Sequence, residues 1–188
     1  AVKLDNEKLK VMCAQNGIDS ELIFINAFGE SKTLRLVINF AGNLNAPNIV
    51  KVSFFNPPNY LASMDDSHIE FAQMISDRLT EVFLDTKTLH SFEILKRIWE
   101  KTILNSALSP LCGIGKLTLK EAMEIPDSLE LIEVVIQEAV EVAEAVDVRR
   151  QCVARQRTQR FQLLGEGLLV ERHDVVDGLE LRLGLLHR

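Results

Sequence analysis

The chain has 188 residues, 47% of them hydrophobic, and a formal net charge of −6. That length is enough to bury a core in one domain, or in one and a fraction, and a mean hydropathy near zero fits a folded globular protein. It excludes a membrane-spanning chain, because glutamates interrupt the most apolar helix, and the opening Ala1-Val-Lys-Leu-Asp does not read as a signal peptide.

In chain order, residues 10–14 read as a short apolar strand entering a Gln15-Asn16-Gly17 turn, where glycine can take a positive φ. Residues 20–28 follow as a helix ending at Gly29. Residues 33–40 and 49–55 are rich in Val, Ile and Phe, and are expected to be adjacent antiparallel strands. Asn56-Pro-Pro-Asn59 is a loop. Asp65, Asp66 and Ser67 are expected to cap a helix with Ile69, Ala72, Ile75 and Leu79 on its inner face, and residues 82–84 to be extended.

From Thr88 onward the pattern turns helical. Leu89, Phe92, Leu95 and Trp99 share one stripe, which assigns Trp99 to the core. Pro110 is expected to end this helix, since it lacks an N–H and disfavours α geometry at the residue before it. Gly113-Ile-Gly-Lys116 then reads as a turn between helices. Thr118-Leu-Lys-Glu121 and Asp127-Ser-Leu-Glu130 resemble capping boxes. The second opens a long helix with Leu131, Val135, Ala139, Val142 and Val146 inward. Its Glu133, Glu138, Glu141 and Glu144 form a solvated face rather than a catalytic carboxylate pair.

Lys101, Asn105 and Ser109 are spaced at i, i+4 and i+8, along one helical face. An ammonium beside a carboxamide suits the protonation and orientation of a carbonyl oxygen. A solvated lysine with an incidental asparagine has the same spacing. The histidines are scattered and give no metal site. Cys13, Cys112 and Cys152 are odd in number, share no pairing or metal spacing, and read as free thiols in a reducing, cytoplasmic setting.

The run Trp99-x-Lys101-x-x-x-Asn105-x-x-x-Ser109-Pro110-Leu111 resembles the signature of the ketopantoate reductase (2-dehydropantoate 2-reductase) family, typically W-x-K-x-x-x-N-x-x-x-N-P-L. Upstream, Ala14-Gln15-Asn16-Gly17 resembles the family's Q-N-G turn, and Pro47-Asn-Ile-Val-Lys-Val its strand after a Pro-Gly-type turn. The similarity runs from about Val11 to about Val146. It implies an α+β fold: the C-terminal part of a Rossmann-type nucleotide-binding domain over residues 1–86, then an all-α substrate and dimerisation domain over residues 87–147. It also implies an active-site cleft between the two domains.

The implied reaction is the NADPH-dependent reduction of ketopantoate, or a related 2-oxo acid, to pantoate on the route to coenzyme A. Lys101 matches the general acid, Asn105 and Ser109 match substrate-binding positions, and Asn16 matches a residue near the nicotinamide. Ser109 stands where the family commonly has a second Asn. A hydroxyl offers one donor on a shorter arm, which bears on substrate identity. Two family features are missing. No Gly-x-Gly-x-x-Gly occurs, so the strands that carry it are expected to lie before residue 1, and no serine follows Ser128 to supply the late Ser/Glu motif.

Composition changes where the resemblance ends. Residues 148–188 hold eight Arg and no Lys, against three Arg and ten Lys before them. Residues 149–160 alone hold five Arg. A solvated tail, a phosphate or nucleic-acid patch, or a slip of the coding frame near Val148 each fits that composition. The alternative to an enzyme is a non-catalytic homologue that self-associates as a homodimer through the apolar stripe at 131–146.

Overall fold

The computed structural model describes Asn6 and residues 8–159, with side chains placed as far as Val146. The fold class is α+β, and the chain divides into two compact units between Ile98 and Trp99. The boundary expected after residue 86 falls on a strand, and the Arg-rich tail lies largely outside the described residues.

In the first unit, β1 (Val11–Cys13) and β2 (Thr33–Val37) pair in parallel, with Cys13 opposite Arg35. Parallel neighbours need a crossover, which α1 (Glu21–Phe28) supplies. On the other side of β2 lies β5 (Asn59–Ser63), antiparallel, with Leu36 opposite Leu61. After α2 (Ile69–Glu81), β6 (Thr86–Thr88) pairs in parallel with β5. The sheet order is β1-β2-β5-β6, so two strand–helix–strand units are joined through an antiparallel seam.

Residues 33–37 do not pair with residues 49–55. The strand stops at Val37, and Phe40–Ala46 forms β3, which pairs with β4 (Ile49–Phe55) as a separate two-stranded sheet. Buried Asn39 makes the break possible. Its N–H donates to Asn59 Oδ1 at 2.8 Å, its side-chain amide donates to the Pro58 carbonyl, and its own carbonyl accepts from Asn56 N–H at 2.9 Å. Backbone groups that leave the ladder are thus satisfied locally.

Two further expectations are corrected. Residues 82–84 are not extended: the N–H groups of Val82, Phe83 and Leu84 fold back onto the carbonyls of Leu79 and Thr80, and Phe83 takes a φ of 66°. Nor do the aspartates cap α2, whose N-cap is His68 with no side-chain bond. Asp65 instead holds its own turn, accepting from Ser67 N–H at 3.0 Å and Ser67 Oγ at 2.6 Å. Burial pushes the Asp65 carboxyl up, but the hydrogen bonds from Ser67 and Ser63 outweigh it, leaving the group below its usual range. Asp66 accepts from Ser91 N–H at 2.8 Å and Ser91 Oγ at 3.1 Å, so it caps the next helix, 25 residues on.

One face of the sheet buries Leu34, Leu61 and Ala72 with Met12, Leu36, Phe71 and Ile75 packed around them. The opposite face buries Val37 and Ala62 against Ile94 and Ile98. Alternation along β2 sorts its side chains between these two cores, and puts Arg35 on the same side as Val37.

Helix α3 (Ser91–Gly115) runs straight past Pro110 rather than ending there. Proline removes one hydrogen bond and costs about 3 kcal/mol in a helix interior. The tight burial of Ile103 and Ala107 on this helix works against that cost. The true stop comes at Lys116, which takes a left-handed φ of 52°, while Leu117 N–H returns to the Cys112 carbonyl at 3.0 Å. Gly113 and Gly115 therefore sit in the last turn of α3. Phe92 is half exposed and stacks on His90, whereas Trp99 packs against a core of Ile103, Val140 and Ala143, as its stripe requires.

The helix α4 (Leu119–Glu124) opens with a complete capping box. Glu121 N–H donates to Thr118 Oγ1 at 3.3 Å, and Glu121 Oε2 accepts from Thr118 N–H at 2.7 Å. The Thr118 N–H and the Thr118 hydroxyl, which donates to Oε2 at 2.8 Å, hold the Glu121 carboxyl below its usual range. Thr118→Ala is expected to lower stability by about 1 kcal/mol in urea unfolding. The box contributes fully above the ordinary carboxylate range and is lost as pH falls through the lowered folded value. An acid titration followed on the Thr118 amide shift checks this, and Glu121→Gln should remove the transition.

In α5 (Pro126–Gln159) the buried residues among the described side chains are Ser128, Ile132, Val140 and Ala143, with Ile136 and Ala139 packed beside them. Leu131 and Val142, expected inward, are 50% and 57% exposed. Apolar residues come in adjacent pairs here, such as Leu131-Ile132 and Val142-Ala143, so two stripes one residue apart satisfy the same helical period. Glu133, Glu138 and Glu141 are exposed, as expected of a solvated face.

Candidate active site

The site residues fall into two groups, one in each unit. In the first unit, β1 runs into the turn at Gln15-Asn16-Gly17 before α1 begins. Gly17 has a φ of 103°, and nothing lies within 4 Å of the place a Cβ would occupy. Backbone conformation, not crowding, demands the glycine. Asn16 is exposed, just beyond the carboxyl end of β1, the end at which sheets of this kind present ligand contacts.

The turn is held from below by Arg35. One Nη donates to the Gln15 carbonyl at 2.6 Å and the other to the Gly17 carbonyl at 3.0 Å. The first also reaches the Cys13 carbonyl at 3.3 Å and Cys13 Sγ at 3.1 Å. Arg35 Nε lies 3.4 Å from Glu21 Oε2, an ion-pair distance without hydrogen-bond alignment. Both charged side chains are almost wholly buried, at 2% and 3% exposure. Sequence reasoning missed both residues. The available signal was a single charge inside the apolar run Leu34-Arg35-Leu36-Val37, and another ahead of Leu22-Ile-Phe-Ile25.

In the second unit, Lys101, Asn105 and Ser109 lie on one unbroken helix at four-residue spacing. Lys101 is half-buried, while Asn105 and Ser109 are exposed. Because α3 does not stop at Pro110, Ser109 keeps helical geometry and stays on the same face as the other two. Glu100, adjacent to Lys101, is buried. Among the described residues no group of His, Cys, Asp and Glu could hold a metal ion, and no helix is long and apolar enough to cross a membrane. Cys13 and Cys112 are free thiols.

Residues 93–166 match the protein family described as Ketopantoate reductase PanE/ApbA C terminal, a match that extends past the change in composition at residue 148. A 2-dehydropantoate 2-reductase of Aquifex aeolicus (strain VF5) is 25% identical over 139 residues, covering 73% of this chain and 44% of that protein. Among solved structures, D-mandelate dehydrogenase in complex with NADH superposes with a TM-score of 0.67 at 22% identity, covering 77% of this chain and 47% of that one. The 2-dehydropantoate 2-reductase from Geobacter metallireducens GS-15 gives a TM-score of 0.64 at 17% identity, covering 94% and 52%. The two structures show a shared fold. The chain spans about half the length of these relatives.

Proposed function

We propose that the protein serves the NADPH-dependent reduction of ketopantoate, or a related 2-oxo acid, to the 2-hydroxy acid, a reading supported by the match of residues 93–166 to the C-terminal model of the ketopantoate reductases. The observation that carries this reading is the unbroken α3, which keeps Lys101, Asn105 and Ser109 on one face inside the matched segment.

The described residues fit one end of the cofactor. Asn16 offers an exposed carboxamide beyond the end of β1, suited to the nicotinamide end. Gly-x-Gly-x-x-Gly, the usual pyrophosphate cradle, does not occur in the sequence. When bound, the nicotinamide supplies a hydride to the keto carbon. Lys101 Nζ gives its proton to the carbonyl oxygen as negative charge develops there. The Asn105 amide and the Ser109 hydroxyl donate hydrogen bonds to the substrate and fix its orientation. The shorter arm of Ser109 leaves room that an asparagine would fill, which favours a 2-oxo acid bulkier than ketopantoate at that position.

An NADPH titration of the chain, followed by cofactor fluorescence, tests the reading. Saturable binding is expected, with turnover of 2-oxo acids to follow. Absence of binding at millimolar cofactor would overturn it for this chain.

A second reading has its own observation: Leu131, Val134 and Val142 are exposed along α5, leaving an apolar stripe through which a non-catalytic homologue could self-associate. Cofactor binding separates the two, since a pairing module needs none, whereas a concentration-dependent mass by light scattering reports association in either case.

A further inference from the structure

We propose that the buried Arg35–Glu21 pair is a positioning device for Asn16, an inference that rests on the reading of Asn16 as a cofactor contact. A buried ion pair does little for stability by itself, because desolvating two charges offsets their attraction, and apolar side chains of similar volume often serve as well. The geometry of Arg35 points to another purpose. Its two Nη groups donate to the carbonyls on either side of Asn16, those of Gln15 and Gly17, so a rigid planar fork spans the residue that carries the carboxamide.

Glu21 sits at the first residue of α1, and its carboxylate lies beside Nε at the other end of the guanidinium. The group is therefore fixed at three points: by the start of the helix, by β1 through Cys13, and by the turn. The turn includes Gly17, a residue with little conformational preference of its own. Without the fork, nothing in Gly17's own backbone chemistry would hold Asn16 in one place. A lysine could not replace it, since one ammonium lacks a planar fork to bridge two carbonyls.

The test uses the full chain with Glu21→Leu/Arg35→Met and Asn16→Ala. The double variant keeps side-chain volume and removes both charges, so a merely structural pair would be replaced without consequence. Positioning predicts an unchanged urea midpoint with backbone N–H order parameters at residues 16–18 falling from the rigid range near 0.85 to below about 0.6. It also predicts NADPH affinity weakened about tenfold, toward that of Asn16→Ala. Unchanged order parameters at unchanged stability would overturn the proposal. Should Asn16→Ala itself leave NADPH affinity intact, the cofactor reading of Asn16 falls, while the order parameters still decide whether Arg35 holds the turn.

If the double variant does not fold, the unsubstituted protein decides. A fork anchored on both Nη groups cannot rotate freely about its Cζ–Nη bonds, so separate Arg35 Nη proton resonances are expected by NMR. One averaged signal would overturn the proposal.

Discussion

Lys101→Ala is expected to lower turnover on a 2-oxo acid by about 10²–10⁴-fold, the range for loss of a positioned general acid, while leaving NADPH affinity unchanged. The corresponding barrier increase is about 3–5 kcal/mol. The separation of effects follows from when the interaction is made: proton donation to the carbonyl oxygen strengthens only as hydride arrives, so its loss falls on kcat rather than on binding. Lys101→Arg sharpens the test. A guanidinium keeps the charge but holds its proton too tightly to give it up, so it should recover part of substrate binding and little of the rate. Steady-state kinetics with a separate cofactor titration measures both. Turnover in Lys101→Ala equal to that of the parent would remove Lys101 from the chemistry and return it to a solvated role on α3.

Glu21→Ala is expected to destabilise the protein by about 3 kcal/mol, because it leaves the Arg35 guanidinium buried without its counter-charge. The range for breaking such a pair is about 3–5 kcal/mol. The low end applies, since the carbonyls of Cys13, Gln15 and Gly17 go on accepting from the same group. The contrasting pair is Arg78–Glu81, 2.9 Å apart but with side chains 76% and 62% exposed. Solvent screens that pair, and Glu81→Ala should cost well under about 1 kcal/mol. Urea unfolding of the two variants side by side gives the comparison. A Glu21→Ala effect no larger than that of Glu81→Ala would show that Arg35 does not depend on Glu21.

The parts of the fold that sequence made legible are those governed by local chemistry. The turn at Gly17, the end of α1 at Gly29 and the capping box at Thr118 each follow from what one residue can or cannot do with its own backbone. The helical face of Lys101, Asn105 and Ser109 follows from spacing alone. What was not legible depends on partners distant in sequence. Asp66 looks like a cap for the helix that follows it, yet its carboxylate serves Ser91. β2 looks like one strand through Phe40, yet Asn59 and Pro58 intercept Asn39 and send the chain off as a hairpin. Pro110 has the local character of a stop, but packing elsewhere on α3 carries the helix past it. The paired apolar residues of α5 leave its inner face undetermined by one residue, and only the packed neighbours Ile103 and Trp99 choose.

The Arg35 contacts have a consequence for how this part of the protein can change over evolutionary time. Every hydrogen bond that the guanidinium makes to the turn goes to a main-chain carbonyl, not to a side chain. Main-chain carbonyls are the same whatever residue carries them. The side chain of position 15 can therefore drift without loosening the clamp, and position 16 can exchange one side chain for another while its backbone stays equally well placed. Gly17, Arg35, the counter-charge at Glu21 and, through its Sγ, Cys13 are the residues tied to the geometry. Such an arrangement separates the exposed side chains of the turn, which are free to change, from the groups that set its position, so the surface there can vary without rebuilding the fold beneath it.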